Sequence, residues 1–234
     1  VSEWALKRFW QAVEVIPSND GFTVTLDGRN VRTPGKALLA VPTEEMARHI
    51  ASEWKAQTDR VDPRTMPWTR SANSAIDKLS VQRAEVEDHL IGYAGTDLVC
   101  YRAVSPNELV ERQAAAWDPI LQNVDKSFGV RLLTTSGVMP VTQEPETIDV
   151  LRNVMSTMSD FAITGFHDIV TLSGSYLIAV SVAQKAVESH AAWGLSRIDE
   201  DWQVEQWGHD EDSDAQVEIK REAFLHAVRF FTCA

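Results

Sequence analysis

The chain has 234 residues, 34 acidic against 22 basic, a net charge of −12, and 44% apolar with 24% charged side chains. This is an ordinary globular composition, which excludes wholesale disorder and allows one large domain or two small ones with a real core. The negative charge argues against nucleic-acid binding, which needs a basic footprint, and against anionic membrane surfaces.

The first residues, VSEWALKRFW, contain no long apolar run, so no leader is expected. Arg8 to Ile16 alternates loosely and ends at Pro17. Phe22 to Leu26, then Asp27-Gly28, then Arg29 to Thr33 is a hairpin signal, because Asp-Gly suits the positive-φ turns that hairpins use. Ala37 to Val41 adds a short strand before Pro42. Thr43 is placed to cap a helix running to about Gln57, with Glu44 and Glu45 in its first turn and Met46, Ile50 and Trp54 on one face. Residues 1–66 therefore read as a small antiparallel β-rich domain that includes one helix near 43–57. Arg60 to Pro67 is irregular.

Residues 67–234 read as a larger, mainly helical domain, so the fold class is α+β. Helices are expected over 69–79 and 81–93, and a strand over Leu98–Arg102. Ser105-Pro-Asn-Glu108 has the form of a capping box opening a helix that Pro119 kinks or breaks. Val130 to Thr135 is the expected partner strand for 98–102. Three or four more helices are expected, at about 145–158, 160–184, 189–207 and 213–231. Phe161 to Ala183 is the one long apolar run. It contains His167 and Asp168 and is rich in Ser, Thr and Gly, so a central buried helix is expected there and not a membrane span. Gly165, Ser173, Gly174 and Ala179 would let neighbouring helices approach closely.

Few chemical templates fit. Gly28 to Lys36 has the wrong glycine spacing for a phosphate loop, and Ala37 stands where Ser or Thr should meet a metal. The six histidines include no H-x-x-x-H pair. Neither Cys100 nor Cys233 has a C-x-x-C mate, so no metal site or cofactor is expected. Two thiols without a framework suit a reducing compartment, with a single disulfide left open. His167-Asp168 could form an acid/base pair, against the plainer reading of buried polar groups satisfied by neighbouring helices.

The densest signal lies between Trp193 and Asp214. From Asp199 to Glu222 there are ten acids and two bases, with Trp202 and Trp207 set among them. As a helix, Leu195, Ile198 and Trp202 share one face, and the next turn of that face brings Glu205 and Gln206. A buried stripe would thus turn polar just before Gly208 stops the helix. A carboxylate there is either paired across a packed interface or left for a partner.

Many segments, in this order, resemble one family. They are Lys7-Arg-Phe-Trp10, Leu26-Asp-Gly-Arg29 with Val31-Arg-Thr-Pro34, Glu53-Trp54, Met66-Pro67, Thr69-Arg70, Asn73, Thr96-Asp-Leu98 with Cys100-Tyr-Arg102, and Arg112-Gln113 with Ala116-Trp-Asp-Pro119. The C-terminal half adds Gly137-Val-Met-Pro140, His167-Asp168, Thr171-Leu-Ser-Gly174, Ser196-Arg197, Asp199-Glu-Asp-Trp-Gln203 and Glu205-Gln-Trp-Gly208. The family is the assembly chaperones of the F-type ATP synthase catalytic head that bind its alpha subunit. The resemblance spans about residues 7 to 231.

It implies a non-enzymatic protein that holds unassembled alpha subunit soluble until beta subunit is met, with a β-rich N-terminal domain and a helical C-terminal one. It also implies that acidic residues of the C-terminal helices matter. The candidate partner-binding residues are therefore Glu205, with Asp199, Glu200, Asp210 and Glu211, and Trp202 and Trp207 as aromatic anchors. The expected partner is the alpha subunit, with no catalytic residue, no nucleic acid, no membrane insertion, a monomeric chain and residence in the bacterial cytoplasm, or alternatively the mitochondrial matrix. Two other readings stay open. One is a carboxylate-dependent hydrolase using the 199–214 segment or His167 and Asp168. The other is an interaction module for another partner.

Overall fold

Asp27 and Gly28 take φ values of 49° and 77°, and this positive-φ pair turns β2 (Gly21–Leu26) back into β3 (Arg29–Asn30). The computed structural model describes residues 7–137 and 139–234; the leader reading of the first six residues lies outside them. β1 (Val13–Ser18) pairs antiparallel with β2 along its length, from Val13 opposite Leu26 to Ser18 opposite Gly21. On its other side β2 meets β3 at one end and β4 (Ala40–Val41) at the other, with Phe22 opposite Val41. β2 is thus the central strand, and Thr23, Val24, Thr25 and Leu26 are all buried. Burial on both faces replaces the usual in–out alternation.

α1 (Glu44–Ala56) is capped as expected, with Thr43 Oγ1 accepting from the Met46 amide. Its Met46 and Ile50 are fully buried against Val24, Leu26, Val41 and Trp10. Glu53, on the same helix, is also buried. Its carboxylate accepts from the amides of Trp68 (2.6 Å) and Thr69 (2.8 Å) and from Thr69 Oγ1 (2.7 Å). It thereby satisfies the first N–H groups of α2 (Pro67–Ser74), which has no cap side chain of its own. These elements, through Arg83, form one compact unit with Ser159–Gly165 and Arg229–Ala234.

α2 continues through π-helical turns at Ala75–Leu79 into α3 (Ser80–Gly95). The second compact unit is Ala84–Met158 with Phe166–Val228 and is largely helical. Here the expected strand at 98–102 is replaced. Leu98–Cys100 is a 3₁₀ turn and only Tyr101–Arg102 (β5) is extended. Asp97 decides this, because its carboxylate accepts from the Val99 amide and its carbonyl from the Cys100 amide, a local turn that overrides β propensity. Asp97 is wholly buried. It also accepts from Ser175 Oγ (2.6 Å) and the Leu177 amide (3.0 Å).

α4 (Asn107–Phe128) begins two residues after Ser105. Pro106 is extended and occupies the cap position, so the expected capping box does not form. Pro119 does not break α4. It lies on the exposed side, where water can take up the carbonyl that loses its partner. The expected strand at 130–135 shrinks to β6 (Thr135–Ser136), which pairs with β5 in parallel.

α5 (Pro145–Arg152) follows, with 3₁₀ turns to Met155. The long apolar run is two helices, α6 (Asp160–Ser173) and α7 (Tyr176–Ala183), because Gly174 takes a φ of 69° and Ser175 caps the next start. Every residue of α7 from Tyr176 to Val182 is buried. Likewise the expected 189–207 helix divides into α8 (Ser189–Leu195) and α9 (Ile198–Trp207). α10 (Glu211–Cys233) closes the chain. Both cysteines are free thiols. Among the described residues no helix is long and apolar enough to cross a membrane. The fold is an N-terminal antiparallel sheet followed by a mostly helical region, α+β as expected.

Candidate partner-binding face

Trp117 on α4 is fully buried and donates from Nε1 to the Leu195 carbonyl at the end of α8, over 2.8 Å. That bond occupies the carbonyl the helix end leaves open. Ser196 closes the same turn by donating from Oγ to the Trp193 carbonyl (2.7 Å). The chain then re-enters a helix at Ile198 and runs as α9 against α4.

The contact between α9 and α4 is polar. Asp199, Trp202 and Glu205 follow at i, i+3 and i+6, which brings them to one side of α9. Gln113 Nε2 donates to Asp199 Oδ1 at 2.6 Å. Arg112, its neighbour on α4, donates from Nη1 and Nη2 to the two oxygens of Glu205 at 2.7 and 2.8 Å. The same guanidinium lies over the Trp202 ring, 5.0 Å from its centroid. The hydrogen bonds from Arg112 hold the Glu205 carboxyl below the usual carboxylate range, and the Arg112 guanidinium is pushed up in return. Glu205 therefore stays ionised at neutral pH.

The expected stripe of Leu195, Ile198 and Trp202 is not a buried face. Leu195 belongs to the preceding helix, and no residue of α9 is buried. The reason is the break at Ser196–Arg197, which changes the helical register between Leu195 and Ile198. From Arg197 to Ala223 no side chain is buried at all, and burial resumes at Phe224. This stretch is held by hydrogen bonds, ion pairs and ring contacts where it meets α4.

The other candidates are dispersed. Glu200 faces Arg197 at 3.9 Å, and Arg197 Nε reaches Asp201 at 3.5 Å. Trp207 ends α9 with 81% of its surface exposed. Asp210 precedes α10 and accepts the Ser213 amide at 2.9 Å, an N-cap bond. Glu211 opens α10, exposed. Sequence reasoning had Asp199, Trp202 and Glu205 among its candidates and quoted Arg112-Gln113 as a segment of the family resemblance, but did not name those two as their partners. Their signal was faint: one basic and one amide residue side by side just before an alanine run in α4.

His167 Nδ1 and Asp168 Oδ1 lie 3.0 Å apart on α6, both part-exposed and adjacent in sequence. They are not the buried pair expected. The His89 ring lies 6.1 Å from that of His167. Among the described residues no group of three or more potential metal ligands forms.

A family model described as ATP12 chaperone protein matches residues 7–125. The mitochondrial protein atp12 of Schizosaccharomyces pombe is 27% identical over 221 residues, covering 89% of this chain and 76% of its own length. The crystal structure of Atp12 from Paracoccus denitrificans superposes with a TM-score of 0.93 at 42% identity, covering 99% of both chains. The Atu1473 protein of Agrobacterium tumefaciens superposes with a TM-score of 0.92 at 33% identity, covering 97% of this chain and 85% of its own.

Proposed function

The chain belongs to the ATP12 chaperone family of ATP synthase assembly factors, and from that premise we propose that it binds the unassembled alpha subunit of the F-type catalytic head and keeps it from aggregating until beta subunit arrives. The family is non-enzymatic, so the hydrolase reading of His167 and Asp168 falls away.

The observation that carries the proposal is the α9 segment. It carries Glu200 and Asp201, ends on the exposed Trp207 and is followed by the exposed Asp210 and Glu211, with Asp199, Trp202 and Glu205 on its seam with α4. An unassembled subunit exposes apolar interface surface that promotes aggregation. A holder needs aromatic contact area together with charge that orients the encounter. A polar surface of moderate size also lets the true partner displace it, which an obligate apolar interface would hinder. We place this activity in the bacterial cytoplasm, with one chaperone to one client. The bacterial relatives are 42% and 33% identical, against 27% for the mitochondrial one.

The test is light scattering of refolding alpha subunit with equimolar chaperone. Scattering should fall without ATP, while an unrelated acidic protein leaves it unchanged. Scattering that proceeds as in buffer alone would overturn the client assignment.

A further inference from the structure

Trp202 and Glu205 hold one guanidinium between them. Glu205 takes it edge-on through two parallel hydrogen bonds of 2.7 and 2.8 Å, and Trp202 faces it at 5.0 Å. This combination distinguishes a guanidinium from an ammonium, because the planar fork matches both oxygens of a carboxylate and its face stacks on an indole. In this structure the guanidinium belongs to Arg112 of the same chain.

Two features make that occupant exchangeable. The Arg112 and Glu205 side chains keep 37% and 50% of their surface in water, so solvent and salt reach the pair and screen it. α9 also has a second tie to α4, the 2.6 Å bond from Gln113 to Asp199, so the helix need not leave when the guanidinium does. Next to the cradle on α9 stand the carboxylates Glu200 and Asp201, which face Arg197 at 3.9 and 3.5 Å. Carboxylates on both sides of Trp202 suit an incoming cationic side chain.

We propose that the Trp202–Glu205 cradle is an arginine-recognition site whose resident occupant, Arg112, is displaced by an arginine of the client. This rests on the chaperone reading above. Arg112 is then an internal competitor. It keeps the cradle formed in the empty chaperone and lowers client affinity, which favours release.

The test uses the full chain, Arg112→Ala, Arg112→Lys, and Arg112→Ala combined with Glu205→Gln, each checked for native circular dichroism. Binding of N-acetyl-arginine amide and N-acetyl-lysine amide is followed at the Trp202 indole N–H by NMR, and alpha-subunit affinity is measured alongside. Arg112→Ala should bind the arginine amide about threefold or more tightly than wild type, the scale of one exposed pair. The lysine amide should bind less, the double variant neither, and alpha subunit should bind Arg112→Ala at least as tightly as wild type. Should Arg112→Ala lose its fold, Arg112→Lys carries the same comparison with a weaker competitor in place. A folded single variant that ignores the arginine amide, or binds alpha subunit more weakly, makes Arg112 a strut and overturns the proposal. Arginine amide docking in Arg112→Ala, with alpha subunit bound by none of the proteins, would support the cradle and reject the client.

Discussion

Gln113 bridges two segments of the chain: its Nε2 donates to Asp199 Oδ1 at 2.6 Å while its Oε1 accepts from the Ala103 amide at 2.8 Å. Gln113 is 2% exposed, and its two partners, Ala103 and Asp199, are half-buried. Gln113→Leu fills similar space but leaves the Ala103 N–H and the Asp199 carboxylate without this partner. A typical hydrogen bond contributes about 0.5–1.5 kcal/mol net, so loss of the two should cost the variant about 2 kcal/mol in urea unfolding. Amide exchange in α9 should accelerate with it. Unchanged exchange there would show that Gln113 does not tether α9.

Burial pushes the Asp97 carboxyl up from 3.8 to about 6, against the lowering effect of its bonds to Ser175, Leu177 and Val99. A carboxyl whose folded pKa is raised contributes stability when protonated. That contribution is complete below about 3.8 and is lost as pH rises through about 6. Wild type should therefore gain about 2 kcal/mol relative to Asp97→Asn as pH falls from 7 to 4, at about 1.36 kcal/mol per pKa unit. Parallel stability–pH curves for the two proteins would reject the raised value.

Gly165 on α6 lies where an added Cβ would stand 2.8 Å from Phe231 Cβ and 2.8 Å from the Phe231 amide nitrogen. Helix propensity favours alanine over glycine by about 1 kcal/mol, but here the obstacle is largely backbone and cannot rotate aside. Overpacking costs about 1–3 kcal/mol, so Gly165→Ala should lower the melting temperature. An unchanged or higher melting temperature would mean that the two helices part without loss.

Glu205 and Glu218 both pair with an arginine, Arg112 and Arg221, but only Glu205 also shares its partner with an aromatic ring on its own helix. Glu205→Gln should leave more alpha subunit aggregated in the refolding assay than Glu218→Gln does. Trp207→Ala should join Glu205→Gln in that loss while melting like wild type, since its ring is 81% exposed. Equal protection by all three variants would remove α9 from the client surface.

The amino-acid sequence by itself determined the features whose cause lies within a few residues. Asp27-Gly28 specifies its turn through positive φ, and Thr43 specifies the start of α1 through one side-chain bond. The density of acids and tryptophans marked the α9 region. The helix breaks were only partly legible. Gly174 and the Ser196–Arg197 junction lie inside apolar periodicity that reads as continuous, and a single residue off the helical path shifts every later side chain. Asp97 shows the limit in another form: its bonds to the Val99 and Cys100 amides are local, but its partners Ser175 and Leu177 lie 78 and 80 residues later in the chain. The tertiary structure alone decided what Glu205 touches. Its partner lies 93 residues earlier in the chain, on a helix that periodicity places but cannot pair, and bidentate ion pairing depends on distances of a few ångströms between segments whose separation in sequence carries no such information.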